Sequence, residues 1–202
     1  MTARGRPRGF DREEALRQAM RVFWAKGYEN TSMTDLINAM GIASPSLYAA
    51  FGSKEGLFHE AVSLYAAEQG CDIWESLDRE PGIVAAISAF LEATARTYST
   101  EGQPQGCMIV LGARPGPQGE SAVADDLRVR RCDSANRLRQ RFARALEEGE
   151  LPAASDPQSL GTYFASVQHG MSILARDGAD YETLRSVAHL GVQSLSAIIA
   201  SN

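Results

Sequence analysis

The stretch that decides the fold is GYENTSMTDLINAMGIASPSLYAAFGSKEGLF, which spans residues 27–58. Within it, Ser32 and Asp35 form an S-x-x-D pattern, the signature of a capping box at the start of a helix. Apolar residues then recur at helical spacing as far as Met40. The stretch therefore predicts a short helix over residues 33–40.

A glycine and a proline mark the second half of the same stretch. Gly41 follows the first helix and suits a tight turn, and Pro45 suits the first turn of another helix, predicted over 44–51. Gly52 is expected to end that helix. Two short helices joined by a glycine turn form a helix-turn-helix, and the second is too short to be a core helix by itself.

Helical periodicity also dominates the chain on both sides of this motif. The apolar spacing predicts further helices over residues 11–28, 54–78, 82–99, 107–113, 120–148, 156–176 and 180–200. Short breaks that contain Gly or Pro separate them, and the sequence has no convincing strand pattern and no internal repeat. We therefore expect an all-α fold of about nine helices.

Charge is unevenly distributed along the 202 residues, which carry a net charge of −5. Residues 1–60 hold eight Lys/Arg and seven Asp/Glu, a net charge of +1, whereas the remainder holds twelve and eighteen, a net charge of −6. A small basic head on an acidic body is compatible with DNA binding, because the local charge decides the contact.

Composition argues against several other classes of protein. No apolar run approaches the roughly 18 residues of a membrane span, and no export signal is evident, so we expect a cytoplasmic protein without membrane contact. Three cysteines and three histidines are dispersed, and the common catalytic motifs are absent. We expect no enzymatic activity, no metal and no cofactor; the alternative of a metal sensor, whose ligands converge only in space, is testable by metal analysis.

Residues 10–60 resemble the DNA-binding domain of the tetracycline-repressor (TetR) family. The matching residues are Gly27-Tyr28-Glu29-Asn30-Thr31-Ser32-Met33-Thr34-Asp35-Leu36, Met40-Gly41-Ile42 and Ser46-Leu47-Tyr48-Ala49-Ala50-Phe51-Gly52-Ser53-Lys54-Glu55-Gly56-Leu57-Phe58. The resemblance implies a helix-turn-helix DNA-binding domain followed by a helical ligand-binding and dimerisation domain. It also implies a homodimeric repressor, released from a palindromic operator when a small molecule binds.

Three segments are expected on this basis: a basic flexible arm over residues 1–9, the DNA-binding domain over 10–54, and the ligand-binding and dimerisation domain over 55–202. The long helix 54–78 would join the ligand pocket to the DNA-binding head and tilt when ligand binds. A transcriptional activator with the same head is an alternative that the sequence does not separate from a repressor.

Family contacts with double-stranded DNA carry over onto residues at the motif's outer face, namely Thr34, Ser44, Pro45, Ser46, Tyr48 and Lys54. Small side chains let a recognition helix lie deep in the major groove, and the Tyr48 hydroxyl and Lys54 ammonium suit phosphates. Many family members have an aromatic residue or histidine where this chain has Ala49 and Ala50, which puts those phosphate contacts in doubt.

The arm preceding the motif carries Arg4, Arg6 and Arg8. Arginine side chains of such arms bind narrow A·T-rich minor grooves, so the arm is a second candidate DNA contact. The alternative is a solvated tail that touches no DNA.

Dimerisation is expected through the last two predicted helices. Their small residues would allow close approach of symmetry-related helices: Gly161, Ala165, Gly170, Ala188, Gly191 and Ala197. The alternative is that these helices pack only within one protomer.

Candidate ligand-binding residues lie among the helices after residue 60: Tyr65, Trp74, Phe90, Tyr98, Cys107, Met108, Phe164 and His169. Their aromatic and sulfur content suggests an apolar or aromatic inducer. Each of these side chains also fits an ordinary hydrophobic core.

Cys107 starts the predicted helix 107–113, where the helix N-terminus would stabilise a thiolate. Some TetR-family members with a Gly-Cys pair at a similar place sense electrophiles or oxidants, so a redox or electrophile switch is one hypothesis. A buried, inert thiol is the alternative. The arginines of helix 120–148 indicate a solvated face rather than a second nucleic-acid patch: Arg128, Arg130, Arg131, Arg137, Arg139, Arg141 and Arg144.

Overall fold

The computed structural model describes residues 10–114, 117, 119 and 121–200. Within these residues the chain is all-helical, without a β-strand. Its ten helices are α1 (Arg12–Lys26), α2 (Met33–Met40), α3 (Ser44–Phe51), α4 (Lys54–Glu68), α5 (Cys71–Arg79), α6 (Ile83–Tyr98), α7 (Met108–Leu111), α8 (Ala122–Glu147), α9 (Pro157–Arg176) and α10 (Tyr181–Ala200). The all-α prediction is confirmed.

Capping interactions mark the starts of the first two helices in the N-terminal region, residues 10–54, which is called the head below. The Asp11 side chain accepts hydrogen bonds from the backbone N–H groups of Glu13 and Glu14 at the start of α1. At the start of α2, Ser32 and Asp35 form both halves of the capping box. Helices α2 and α3 have the bounds that the sequence predicts.

Helix α4 joins the head to the rest of the molecule through aromatic contacts. The Phe23 ring meets the Phe58 ring edge-on at 5.0 Å between centroids, and Trp24 meets Tyr65 in the same way at 4.9 Å. These rings belong to one continuous cluster of buried apolar side chains that runs from α1 to α10. The head therefore shares its hydrophobic core with the larger helical part.

The prediction of one helix over 54–78 is wrong, because the chain breaks between α4 and α5. The carbonyl of Tyr65 accepts hydrogen bonds from both Gln69 and Gly70, which closes α4. Glycine favours the end of a helix because its helix propensity is among the lowest of all residues. This break raises the helix count of the described residues from the expected nine to ten.

Of the helices that the structure describes, none combines the length and the hydropathy that crossing a membrane requires.

Candidate DNA interface and sensor cavity

Helix α3 buries one side and leaves the other open to solvent. Leu47 is fully buried and Phe51 almost so, and both belong to the cluster of buried apolar side chains. The Tyr48 ring is 49% exposed, and Pro45 is exposed beside it. Ser44 and Ser46 are half-buried, while Thr34 is exposed on α2. The structure thus brings five of the predicted DNA-contacting residues to the outside of the motif.

Lys54 lies at the first position of α4, close to the end of α3. Its Nζ atom is 4.3 Å from the centroid of the Tyr28 ring, and burial lowers the pKa of this ammonium below its ordinary value. The tight junction depends on Gly56, since a Cβ atom there would lie 2.6 Å from the carbonyl oxygen of Phe51. Lys54 therefore has a defined position next to the recognition helix.

Arg4, Arg6 and Arg8 lie outside the described residues. Arg12 is the first positively charged residue that the structure describes, and several contacts within the chain hold its side chain in place. Its guanidinium bonds to Glu60 at 2.8 Å and stacks 4.4 Å from the Phe51 ring, while it also donates to the carbonyl of Ala50. Arg12 fastens α1 to α3 and α4, a role that sequence reasoning missed because its partners are distant in the chain.

A small internal cavity of about 30 Å³ lies between α4–α9. Five predicted ligand-binding residues line it: Tyr65, Trp74, Tyr98, Cys107 and His169. Phe90, Met108 and Phe164 are fully buried in the core and do not belong to its lining. The structure thus separates these aromatic and sulfur-containing residues into cavity wall and ordinary core.

Polar residues that the sequence analysis did not single out as ligand contacts also line this cavity: Arg131, Ser134 and Gln168. The Arg131 guanidinium donates to the carbonyl of Ile109 at 3.0 Å. Burial and the Arg131 charge lower the pKa of His169, which favours a neutral ring at neutral pH. Residues 131 and 168 occupy amphipathic helices, and only their packing shows which side faces the cavity.

The prediction that the α8 arginines form a solvated face is wrong for two of them. Arg141 is only 4% exposed and donates to the carbonyl of Pro81. Arg131 is half-buried against α7. Three others follow the prediction in pairing with surface carboxylates: Arg128 with Asp125, Arg130 with Asp126 and Arg137 with Asp78.

Cys107 is buried and lies between two tyrosines. Its backbone N–H donates to Ser172 Oγ at 2.8 Å. Burial, and then the nearby Cys107, raise the pKa of both Tyr65 and Tyr98 well above the ordinary value. The predicted helix 107–113 is only the single turn α7, Met108–Leu111. Cys107 thus precedes a helix of only four residues, shorter than the short helix from which the sequence predicted stabilisation of a thiolate.

The segment before α7 is fastened to the head by Arg176, the last residue of α9. Its guanidinium donates to the carbonyl groups of Trp24 (2.8 Å), Ala25 (3.0 Å) and Gln105 (2.9 Å). The Trp24 indole N–H donates to the carbonyl of Gly106 at 2.9 Å. These bonds join the end of α1, the end of α9 and the chain that leads to Cys107.

The segment after α7 is fastened to the head as well. The backbone N–H of Tyr28 donates to the carbonyl of Gly112 at 2.7 Å. The Glu29 carboxylate accepts from the backbone N–H of Arg114 at 3.2 and 3.3 Å. The cavity wall formed by α7 is therefore connected on one side to the end of α1 and on the other to the loop that precedes the helix-turn-helix.

A second, open groove of about 500 Å³ lies outside this wall, between the head and α7–α9. Val110, Arg131 and His169 line both the groove and the internal cavity. These three residues are the partition between the two spaces.

The sequence predicts that six small residues of the last two helices allow close approach between two protomers. This prediction is wrong for four of these residues, which pack inside the same chain. A Cβ atom at Gly161 would lie 2.7 Å from the Arg139 Cα atom, so this glycine packs α9 onto α8 of the same chain. Gly191 faces Leu91 and Phe164, and Ala165 and Ala188 are buried. The apolar side chains that α9 and α10 leave exposed are larger: Tyr163, Ile173, Leu174, Leu190 and Ile198.

Described residues that are all-helical, with a short helix open to solvent near the N-terminus and a cavity wall hydrogen-bonded to the end of α1 and the loop after it, have the construction of a DNA-binding regulator. Among the described residues, no group of three or more His, Cys, Asp or Glu side chains is placed to hold a metal ion.

Comparison with known proteins agrees with this class. The family model "Bacterial regulatory proteins, tetR family" matches residues 15–61. The HTH-type transcriptional repressor ComR of Escherichia coli is 33% identical over 190 residues, with 92% of this chain and 89% of ComR covered. The chain therefore belongs to the TetR family of transcriptional regulators.

Two further relatives extend the comparison. The repressor BdcR of Escherichia coli is 29% identical, covering 96% of this chain and 94% of BdcR. A cysteine mutant of the TetR-family regulator CifR, complexed with 26-base-pair operator DNA, is 39% identical with a TM-score of 0.88, covering 94% of this chain and 99% of CifR. Transcription regulation and DNA binding are thus the activities of this family, in which homodimers and ligand binding are typical.

Proposed function

We propose that this protein is a ligand-responsive repressor, bound as a dimer to a palindromic operator and released when a small molecule enters the internal cavity. The observation that carries the proposal is the attachment of α7. One side of α7 lines the cavity, and the residues flanking it bond to the head at Tyr28, Glu29 and Trp24. A ligand that displaces this wall displaces the head with it.

The size of the cavity supports this mechanism. The cavity, at about 30 Å³, is far smaller than the roughly 300–1,000 Å³ of ordinary ligand pockets. A larger ligand must move the wall, and α7 is its shortest element. In a dimer, a small rotation of each head takes the two recognition helices away from the ~34–36 Å spacing of half-sites on one DNA face. The ligand acts only through its greater affinity for the displaced state.

We propose residues 10–54 as the DNA-binding domain and 55–202 as the sensor and dimerisation domain, acting by binding rather than by catalysis. Thr34, Ser44, Pro45 and Ser46 would face the major groove. Tyr48 and Lys54 would bind phosphates, and the arm over residues 1–9 would add a minor-groove contact.

The exposed apolar side chains of Leu174 on α9 and of Leu190 and Ile198 on α10 support a homodimer through these two helices, since exposed apolar area favours association. Leu190→Glu, at a side chain 65% exposed, should shift the protein from dimer to monomer in analytical ultracentrifugation. Val129→Glu is the matched control, because Val129 is 48% exposed on α8. A dimer that tolerates Leu190→Glu as well as Val129→Glu would contradict this interface.

The main test is a gel shift of the purified protein with the DNA that flanks its own gene, at two salt concentrations and with an unrelated duplex as competitor. We expect specific binding that weakens as salt rises. Tyr48→Phe and Lys54→Ala should weaken binding to all sequences alike, whereas Ser46→Ala should change base preference. Removal of the arm should weaken binding further. Identical behaviour of the three variants would contradict the assigned roles.

Repression itself needs a separate test, because an activator would bind DNA with the same head. In a strain lacking this protein, a reporter behind the bound promoter should rise in expression if the protein represses. Loss of expression would instead identify an activator.

A second candidate function rests on the position of Cys107 in the cavity wall, where an electrophile that enters would meet its thiol. If Cys107 is the sensor, treatment with iodoacetamide should release DNA from the wild-type protein but not from Cys107→Ser. The control Cys132→Ser, at an exposed cysteine, should respond like the wild type. An unchanged response in Cys107→Ser would leave non-covalent binding as the signal.

A further inference from the structure

Arg131 is a cation that lacks an anionic partner within the described structure. Its one hydrogen bond joins Nη1 to the carbonyl of Ile109, and no salt bridge to a described carboxylate accompanies it. Burial lowers the pKa of its guanidinium, and no carboxylate contributes to that shift. The neighbouring Arg128 and Arg130 are paired with Asp125 and Asp126. Arg131 therefore retains donors for another group.

Gln168 is a second, independent sign of a missing polar partner in the same cavity. The residue is only 4% exposed and lines the cavity, and none of the side-chain hydrogen bonds among the described residues involves it. Leaving the amide of such a residue without a hydrogen-bond partner carries a free-energy cost. A ligand with a polar group beside Gln168 would recover that cost.

The residues around Arg131 and Gln168 favour a negatively charged ligand. No Asp or Glu lines the cavity. In the groove beyond the partition, Glu29 is accompanied by the cations Lys26, Arg114 and Arg131. The planar fork of an arginine binds a carboxylate through two parallel hydrogen bonds, a match that a neutral group does not offer.

The remaining wall favours an aromatic body. The rings of Tyr65, Trp74 and Tyr98 line the cavity with Ile73 and Val110. A flat ring between such residues buries apolar area and stacks on aromatic faces. Because a cavity of about 30 Å³ is too small for such a ring, the ring must displace the partition that Val110, Arg131 and His169 form with the groove.

We propose that the inducer is a small aromatic carboxylate, bound with its carboxylate on Arg131 and Gln168 and its ring among Tyr65, Trp74 and Tyr98. This inference rests on the proposed function, which places the inducer in this cavity. It narrows the sequence-based expectation of an apolar or aromatic ligand to an aromatic anion.

The test uses the full chain without DNA and three probes: benzoate, phenylacetate and cinnamate, each paired with its neutral primary amide. We expect at least one carboxylate to bind in calorimetry and to raise the melting temperature, while its amide binds at least tenfold more weakly. Arg131→Gln should lose at least tenfold in affinity for that carboxylate. The control Arg144→Gln, at an exposed arginine of the same helix, should retain it.

Gln168→Leu serves as a second variant if Arg131→Gln fails to fold, and it should also weaken carboxylate binding. The proposal is overturned if none of the carboxylates binds, if the amides bind equally well, or if the folded Arg131 and Gln168 variants bind like the wild type. A gel shift with the same probes separates the two proposals. Carboxylate binding that leaves the operator complex intact would refute ligand-induced release, whereas release by the amide alone would refute the anionic ligand.

Discussion

Gly106 occupies a backbone position that other residues tolerate poorly. Its φ angle is +76°, and a Cβ atom there would lie 2.5 Å from the carbonyl oxygen of Ser172. Gly106→Ala should therefore lower the free energy of unfolding by about 2 kcal/mol or more, through left-handed strain and the clash with α9. Urea denaturation measures this loss.

Gly102 provides the matched control for Gly106. Its φ angle is +74°, but nothing lies within 4 Å of the position of a Cβ atom. Gly102→Ala should therefore cost only the strain of about 1–2 kcal/mol. Equal losses in the two variants would show that the contact with Ser172 is unimportant.

Asp35 connects the capping box to the end of α1. Its carboxylate accepts from Lys26 Nζ at 2.6 Å and from the backbone N–H of Ser32 at 2.9 Å, and these bonds hold its pKa well below the ordinary value of 3.8. Since the folded-state pKa is lowered, the stabilisation is complete above the unfolded-state pKa and is lost as pH falls toward the folded-state pKa.

Asp35→Asn should therefore lower the melting temperature at pH 7, with a difference from the wild type that narrows as pH falls below about 4. Thermal melts between pH 7 and pH 2.5 measure this difference. Asp133→Asn, at an exposed carboxylate of α8, is the control and should change the melting temperature little. A difference that stays constant across this range would argue against the ionised carboxylate as its cause.

At the scale of helices, the close packing of α9 on α8 depends on a single glycine. A Cβ atom at Gly161 would lie 2.5–2.7 Å from atoms of Arg139, two of them in the backbone. Gly161→Ala should lower stability by about 1–3 kcal/mol because the two helices must separate. Chemical denaturation measures the effect.

Gly170, in the same helix, is the control for this packing. Nothing lies within 4 Å of a Cβ atom there, so Gly170→Ala should be neutral or stabilise by up to about 1 kcal/mol through helix propensity. A stable Gly161→Ala variant would mean that the α8–α9 contact adapts easily.

The bounds of the helices show which parts of the secondary structure local sequence patterns predict. The bounds of α2 and α3 follow from Ser32, Asp35 and Pro45, which act within one turn of the backbone. The break after Glu68 was missed because apolar spacing continues through Gly70 into α5. The spacing of apolar residues shows which side of a helix is buried. When two consecutive helices keep the same apolar spacing, the sequence shows one uninterrupted pattern and no break between them.

At the scale of the whole molecule, Arg176 connects the DNA-binding head to the end of α9 and to the segment before α7. Arg176→Gln removes donors to the carbonyl groups of Trp24, Ala25 and Gln105. We expect a loss of about 1–3 kcal/mol in stability and faster amide hydrogen exchange at the end of α1, with exchange in α8 little changed.

Arg185→Gln is the control for Arg176, because Arg185 is 58% exposed and pairs only with Glu182. Exposed pairs of this kind contribute about 0–1 kcal/mol, so this variant should behave like the wild type. If Arg176→Gln left hydrogen exchange in α1 unchanged, the head would be held by its hydrophobic contacts alone.

The sequence by itself determined the all-helical fold and the helix-turn-helix, because capping boxes, glycine turns and proline positions act between residues a few positions apart. It also indicated five residues of the cavity wall through their aromatic or sulfur character. Only the tertiary structure decided that Arg131 and Gln168 face the cavity while Phe90 belongs to the core. The physical reason is that the burial of a residue on an amphipathic helix depends on which distant helix packs against it, and that contact leaves no local pattern in the chain.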